Sequence, residues 1–335
     1  MEYTNLGSTG LKVSRLGFGG IPIQRITQEE ATALIHKLPE YGINYIDTAR
    51  GYTVSEEYLG IAMEGIRDKF VLATKSMART KEAMEKDIEI SLKNLRTDHI
   101  DLYQVHNAPP AQMDIVTGEG GALEALLEAK AAGKIGHIGV TAHEVATFEM
   151  ALDMDWVETI MFPYNFVELQ AADLIKKCAE KGKGFICMKP LAGGNLEDWR
   201  LALRFIAASE VCDISIPGMG SPEEVERNAA VAEELSPLTK EELEQCAAVR
   251  RDLGSHFCRR CGYCAPCPNG IDIPSNFLMA NYLRRYGLAD WARARYAAMP
   301  YHAGSCVQCG ACETRCPYEL PIRDMLVQVA RDFGY

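Results

Sequence analysis

NYIDTA, residues 44–49, is a short apolar run that carries Asp47 near its end and gives way to a loop containing Tyr52. Seven runs of the same kind accompany it: LGFGG (16–20), FVLATK (70–75), IDLYQVH (100–106), HIGVTA (137–142), TIMFPYN (159–165), GFICMKP (184–190) and DISIPG (213–218). Each has the length of a buried strand, and longer amphipathic stretches lie between them. Thr27 to Glu30 and Ser221 to Glu224 have capping-box spacing, the second with Pro222 at the first helical position. Behind the first cap, Ala31, Leu34, Ile35 and Leu38 are spaced along one helical face. Eight strand–helix units in regular alternation predict an α/β fold, a (β/α)8 TIM barrel. A doubly wound open sheet is the alternative. It usually has fewer units and a glycine-rich loop after its first strand, and GFGG lacks the full G-x-G-x-x-G pattern. The opening EYTNLGSTGLKVSRL has turn residues near Gly7 and Gly10 and is expected to form a hairpin at the barrel bottom.

In such barrels the chemistry sits at the C-terminal ends of the strands. Asp47 ends the second strand, Tyr52 follows in its loop, Lys75 ends the third and His106 ends the fourth. Singly, each has an ordinary reading: a cap, a rim residue, a solvated cation, a core histidine. Two groups of opposite charge at adjacent strand ends are harder to dismiss, because a buried lysine is costly without a partner such as Asp47.

Eight of the twelve cysteines fall in two short runs, CRRCGYCAPCP (258–268) and CVQCGACETRCP (306–317). Triple C-x2-C-x2-C spacing presents three thiolates to one [4Fe–4S] cube, and a fourth cysteine before proline usually reaches the other cluster. Cys306, Cys309, Cys312 and Cys316 match that pattern in full, while Cys258, Cys261, Cys264 and Cys267 have one residue fewer before the last cysteine. The expected sets are Cys258, Cys261, Cys264 and Cys316 on one cluster, and Cys306, Cys309, Cys312 and Cys267 on the other. A pair of zinc sites is the alternative, since C-x2-C pairs make those too. The triple spacing and both Cys-Pro endings favour iron–sulfur. CPNGIDIPSNFL and CPYELPIRDML after the two runs suggest an internal repeat. Residues 275–300 read as helical, with NFLMANYLRRYG placing apolar side chains at 277, 278, 282 and 283. A barrel over residues 1–236 and a mostly helical ferredoxin-like iron–sulfur domain over 237–335 are therefore expected. Cys178, Cys187, Cys212 and Cys246 lie among apolar neighbours and read as core.

The chain has 335 residues, 47% hydrophobic and 24% charged, with net charge −11. An acidic surface repels phosphate backbones, which argues against nucleic acid as a partner. MEYTNLGSTGLKVSRLG lacks the apolar core of a signal peptide. No window approaches the roughly 18 apolar residues of a membrane span. The expectation is a cytoplasmic protein with no membrane contact, where reduced, clustered cysteines bind metal rather than form disulfides.

Taken together, GINYIDTARGYTVSEEYLG, VLATKS, DLYQVHN and KIGHIGVTAHE resemble the aldo-keto reductase family, over about residues 3–235. The C-terminal runs, with CP-x-G-x-DIP, resemble the branch of that family with a ferredoxin-type extension. The resemblance implies a nicotinamide-dependent oxidoreductase acting on a small carbonyl or alcohol, with Asp47, Tyr52, Lys75 and His106 as a catalytic tetrad. Tyr52 would be the general acid, Lys75 would lower its pKa, Asp47 would hold Lys75, and His106 would orient the carbonyl oxygen. Where the family holds the nicotinamide amide with Ser, Asn and Gln, this chain has Thr141, Ala142 and Met161, and Met188 stands where a tyrosine usually stacks. Asn165, Pro217, Gly218, Ser221 and Asn228 are the remaining cofactor contacts that the resemblance implies. Cations that often bind the 2′-phosphate of NADP correspond to Gly218 and Glu224, so a weakened NADP preference is expected and the choice between NAD and NADP stays open.

A hydride carries two electrons and a cluster normally exchanges one. Direct coupling thus calls for an intermediary such as a flavin, for which the sequence has no secure motif. Three readings follow: clusters that feed or drain electrons at the barrel site or link it to a redox protein partner, a carbonyl reductase with structural or sensing clusters, and an electron-transfer protein whose barrel has lost its chemistry. The first is favoured.

Overall fold

The computed structural model describes residues 1–254 and 256–334. The chain forms two compact units: Met1–Asn165, Leu169–Leu191 and Asp198–Leu238 make the first, and Phe166–Glu168, Ala192–Glu197 and Thr239–Tyr335 the second.

The first unit opens with an antiparallel hairpin, β1 (Tyr3–Asn5) and β2 (Lys12–Ser14), with Tyr3 opposite Ser14. Eight parallel strands follow in chain order: β3 (Phe18–Gly19), β4 (Tyr45–Asp47), β5 (Val71–Ser76), β6 (Ile100–His106), β7 (Ile135–Thr141), β8 (Thr159–Pro163), β9 (Gly184–Met188) and β10 (Ile214–Ser215). Leu16 bridges Ser215 and Gly19 bridges Gly218, both in parallel, so the last strand meets the first and the sheet closes. Gly19 takes part with its N–H on the Pro217 carbonyl at 3.0 Å. A Cβ on Gly19 would lie 2.9 Å from the Ile216 carbonyl oxygen, so this seam needs glycine. Around the strands run α1 (Gln28–Lys37), α2 (Ser55–Ala62), α3 (Lys81–Asn94), α4 (Pro110–Thr117), α5 (Ala122–Ala131), α6 (Val145–Leu152), α7 (Ala172–Glu180), α8 (Trp199–Ala207) and α9 (Pro222–Ala232). The (β/α)8 barrel read from the sequence is the observed fold, and each of the eight expected strands is present.

The period of two along each strand sorts the side chains. Tyr45, Ala73, Leu102, Met161, Ile186 and Ile214 point into the barrel and pack together. Their neighbours Ile46, Leu72, Tyr103 and Val105 join the larger core under the helices. Leu6 and Val13 of the hairpin are fully buried in the inner cluster, so the hairpin plugs the barrel rather than lying across it. Gly7 makes this approach feasible. Its φ is +54°, and a Cβ there would stand 2.3 Å from the Gly184 nitrogen.

The first helix carries its full capping box: Thr27 accepts from the Glu30 N–H, and the Glu30 carboxylate accepts from the Thr27 N–H. Ser221 also caps its helix, but Glu224 turns its carboxylate to the Gly220 N–H at 2.7 Å.

The second unit has its own core. Its helices are α10 (Lys240–Gly254), α11 (Ile273–Arg284), α12 (Ala289–Ala297) and α13 (Ile322–Phe333). Residues 275–300 are helical as expected, in two helices separated near Gly287 at φ +63°. Phe277, Leu326 and Val329 pack with Tyr296, whose ring stacks on Phe333 at 3.8 Å. The suspected repeat is written in the backbone. Arg260 and Gln308, each just before a second cysteine, have φ 57° and 58°, and Gly262 and Gly310, each just after, have φ 81° and 78°. Among the described residues no helix is long and apolar enough to cross a membrane.

Candidate active site and cysteine loops

Asp47, Lys75 and His106 occupy inward positions at the ends of β4, β5 and β6, above Tyr45, Ala73 and Leu102. Asp47 and Lys75 are 3% and 2% exposed and form an ion pair. Lys75 Nζ also donates to the Thr48 carbonyl at 2.7 Å. Gln104 Nε2 donates to the second Asp47 oxygen at 3.2 Å. Burial pushes the Lys75 ammonium down and the Asp47 carboxyl up, and their mutual attraction opposes both shifts. Tyr52 comes from the loop after β4. The Lys75 ammonium lies 4.8 Å from its ring centroid, and the His106 ring meets it edge-on at 6.1 Å. The four residues expected at the site thus surround one point at the barrel mouth. Two side chains that hold them were not singled out in the sequence. Gln104 alternates with His106 along β6, so strand period alone would have turned it inward. Arg79 donates to the His106 carbonyl at 2.8 Å from the loop after β5, and nothing in its sequence position announces this.

The expected cofactor contacts divide. Thr141 is buried and its hydroxyl accepts from the Asn107 N–H at 2.9 Å. Asn165 donates from Nδ2 to the Lys189 carbonyl at 3.0 Å. Pro217, Gly218 and Ser221 lie together at the end of β10, where a Cβ on Gly218 would press on the Pro22 ring at 2.8 Å. Asn228 is buried on α9 and lines a small cavity with Leu16, Cys212 and Ser215. Glu224 is paired with Arg227 at 3.1 Å, a cation the sequence reading did not count.

In the second unit, Cys264 and Cys312 are buried and Cys309 is exposed. Burial pushes the Cys258 thiol up to about 11, with Cys261 and Cys316 near enough to add to it. Burial pushes Cys264 up to about 12, with Cys258, Cys261 and Cys312 adding to it. Cys258, Cys261 and Cys316 belong with Cys264 in one expected set and Cys312 in the other, so Cys264 has neighbours from both. Burial raises Cys312 too, with Cys306 beside it. Backbone N–H groups face the sulfurs, from Arg260 to Cys258 and from Tyr263 to Cys261. Left-handed turns that aim N–H groups inward make an anion cradle, and N–H···S bonds are a feature of iron–sulfur sites. Among the described residues no three His, Cys, Asp or Glu side chains close on a single ion. A four-iron cube spreads its thiolates wider than one ion does, and an all-cysteine donor set with N–H support fits it.

The two loops differ in what flanks them. Arg260 pairs with buried Glu168 at 3.0 Å, and Arg259 stacks on the Tyr318 ring at 3.9 Å. The matching residues of the second loop are Val307 and Gln308, and Val307 is 64% exposed.

Comparison with known proteins agrees with this geometry. Residues 15–201 match the aldo/keto reductase family, and residues 257–321 match the 4Fe-4S dicluster domain. The chain is 29% identical to L-galactose dehydrogenase of Arabidopsis thaliana, over 71% of this chain and 90% of that one. It is 33% identical to the aldo-keto reductase YhdN of Bacillus subtilis, over 59% and 66%. Among solved structures, the holo form of aldo-keto reductase AKR11C1 from Bacillus halodurans superposes with a TM-score of 0.65 at 26% identity, covering 74% of this chain and 96% of that one. With the closed barrel, the residues at its mouth and the cysteine loops in view, the chain belongs to the aldo/keto reductase family of oxidoreductases and carries a 4Fe-4S dicluster domain toward its C-terminus.

Proposed function

We propose that the barrel mouth interconverts a carbonyl and an alcohol, with Tyr52 as proton donor, and that the cysteine loops hold two [4Fe–4S] clusters serving the same redox chemistry. The observation that carries the reading is the buried Lys75 ammonium, held by Asp47 and the Thr48 carbonyl, against the Tyr52 ring. A bound nicotinamide supplies hydride to the carbonyl carbon. Tyr52 donates its phenolic proton to the carbonyl oxygen as the C–H bond forms. A free phenol, with a pKa of about 10, gives up that proton poorly, and a cation beside it favours the phenolate. Burial lowers Lys75, so its ammonium passes a proton back to Tyr52 more readily. Asp47, steadied by Gln104, keeps Lys75 in place. His106, its backbone clamped by Arg79, turns its ring toward the oxygen. Run backward, the same groups take the proton from an alcohol, and the similarity to a dehydrogenase and to a reductase supports both directions.

Thr141 and Asn165 are the polar groups for the nicotinamide end, and Pro217, Gly218 and Ser221 line the nucleotide end. Glu224 suits ribose hydroxyls better than a 2′-phosphate, and Arg227 beside it keeps the region from becoming net negative. NAD is the reading, and tighter binding of NADPH in a titration would reverse it.

Cys258, Cys261, Cys264 and Cys316 would hold one cluster, and Cys306, Cys309, Cys312 and Cys267 the other. Each cluster would exchange one electron, so passing the two electrons of a hydride to the pair would require a one-electron relay between them and the barrel site. Exposure of Cys309 and Val307 favours the second loop as the side that meets a redox protein partner. Clustered cysteines that serve as cluster ligands favour a reducing compartment such as the cytoplasm.

The test is made anaerobically on cluster-loaded protein. NADH and NADPH are added separately, without flavin, and the cluster absorbance and EPR signal are followed. Reduction by either supports coupling of the two sites. Carbonyl turnover without cluster reduction leaves the clusters structural or partner-facing. Neither reduction nor turnover overturns the reading.

A further inference from the structure

Beside the four residues at the mouth lies a second polar set that the hydride chemistry does not use. Asn107 follows His106 at the end of β6, with left-handed φ of 50°. Its backbone is pinned to β7 through the Thr141 hydroxyl. His143, two residues past β7, reaches Asn107 Oδ1 with Nδ1 at 2.8 Å. Lys189, just past β9, reaches His143 Nε2 with Nζ at 2.9 Å. An ammonium can only donate, so Nε2 is the acceptor, and Nδ1 carries the proton and donates to Asn107. Lys189 is itself left-handed, at φ 55°, with its carbonyl held by Asn165. Three strand ends thus bring a lysine, a neutral histidine and an asparagine into one chain, starting next to His106.

Arg79 stands on the other side of the same backbone. Its guanidinium donates to the carbonyls of Ala78, His106 and Asn107 and to Gln112 Oε1 at 2.7 Å. All of these acceptors are neutral. Among the described residues no carboxylate pairs with Arg79, so its charge is offset by nothing within bonding reach. A half-buried cation on neutral oxygens favours an anion nearby.

We propose that Lys189, held by His143, is the contact for a carboxylate on the substrate, with Arg79 adding its field, so that the barrel takes keto or hydroxy acids. This rests on the carbonyl reading above. A single ammonium suits the single charge of a carboxylate. A phosphate is usually met by bidentate donors or several N–H groups.

The test uses the full, cluster-loaded chain. The probes are 2-, 3- and 4-formylbenzoate, each against its methyl ester, so that three separations of carboxylate and carbonyl are sampled. The expected result is a lead in kcat/KM for at least one acid over its ester of about tenfold to a hundredfold, the worth of one charge-assisted hydrogen bond. Lys189→Met should erase that lead and Lys189→Arg restore most of it. Terephthalate, which cannot be reduced, should bind by calorimetry to the wild type and to Tyr52→Phe but not to Lys189→Met. Terephthalate binding that depends on Lys189 in a protein without turnover would keep the carboxylate site while removing the carbonyl reading. The site is overturned if the protein turns over the aldehydes with no acid ahead of its ester, if terephthalate does not bind in a Lys189-dependent way, or if Lys189→Met weakens NADH instead, which would assign the anion to the nucleotide.

Discussion

The barrel mouth and the cysteine loops solve the same problem, polar groups withdrawn from water, in opposite ways. At the mouth the side chains satisfy one another: Lys75 has Asp47 and the Thr48 carbonyl, and Asp47 has Gln104 as well. In the loops the sulfurs have backbone N–H groups, and they crowd thiols of like kind whose ionisation burial opposes. The mouth is finished by folding. The loops are finished by what binds to them, because a ligand set gathered by the fold has its binding energy counted in the folding.

The sharpest way to break this comparison is at the mouth. Tyr52→Phe removes the proposed proton donor and should lower carbonyl turnover by about a thousandfold, the scale of general acid catalysis. Cluster absorbance should be unchanged. Lys75→Met should lose turnover as well, and leaving Asp47 buried without its cation should cost about 3–5 kcal/mol in chemical denaturation. A stable, active Lys75→Met protein would mean that the mouth is not self-satisfied.

Cys264→Ser probes the other side. It should remove the EPR signal of one cluster and lower the melting temperature of the second unit, while Tyr45 and the other inward barrel residues keep their hydrogen-exchange protection. Unchanged melting would show that the loops, like the mouth, are finished without a bound group.

Glu158 sharpens the comparison within the barrel wall. Burial raises its carboxyl, but bonds from His137, Lys130 and the Ile138 N–H outweigh that and hold it at about 2. The folded value lies below the ordinary 4.5, so its stabilisation is full above that value and is lost as pH falls through about 2. Glu158→Gln should be less stable by on the order of 2 kcal/mol at pH 7, with the gap closing in acid denaturation curves.

The smallest expected effect separates the two loops. Arg260 brings a buried guanidinium to the first loop, where the second has Gln308. Arg260→Gln should make one cluster potential more negative in an EPR-monitored redox titration and leave the other in place, since charge near the sulfurs sets the potential. Equal shifts in both would show that the loops share one electrostatic environment.

Much of this was legible beforehand because strands and cysteine runs are local patterns. Alternation along IDLYQVH puts Leu102, Gln104 and His106 on one face and Tyr103 and Val105 on the other, whatever the rest of the chain does. The spacing of Cys306, Cys309 and Cys312 is likewise complete within a few residues. The helical character of residues 275–300 was legible too, but not its division near Gly287, because periodicity does not register a single glycine in left-handed conformation. The pairing of Glu224 with Arg227 was not legible, since an i,i+3 partner is only one of several rotamer choices open to it.

By itself, then, the sequence determined the repeating strand–helix units, the inward set at their ends and the two thiolate-rich loops. Each of these depends on neighbours a few residues apart. Tertiary structure decided the rest: that Leu6 and Val13 fill the barrel, that Leu16 and Gly19 close it against Ser215 and Gly218, and that Asn107, His143 and Lys189 meet. Those residues come from strand ends separated by tens of positions. Only a closed barrel, which turns chain order into a ring, brings them within hydrogen-bond distance.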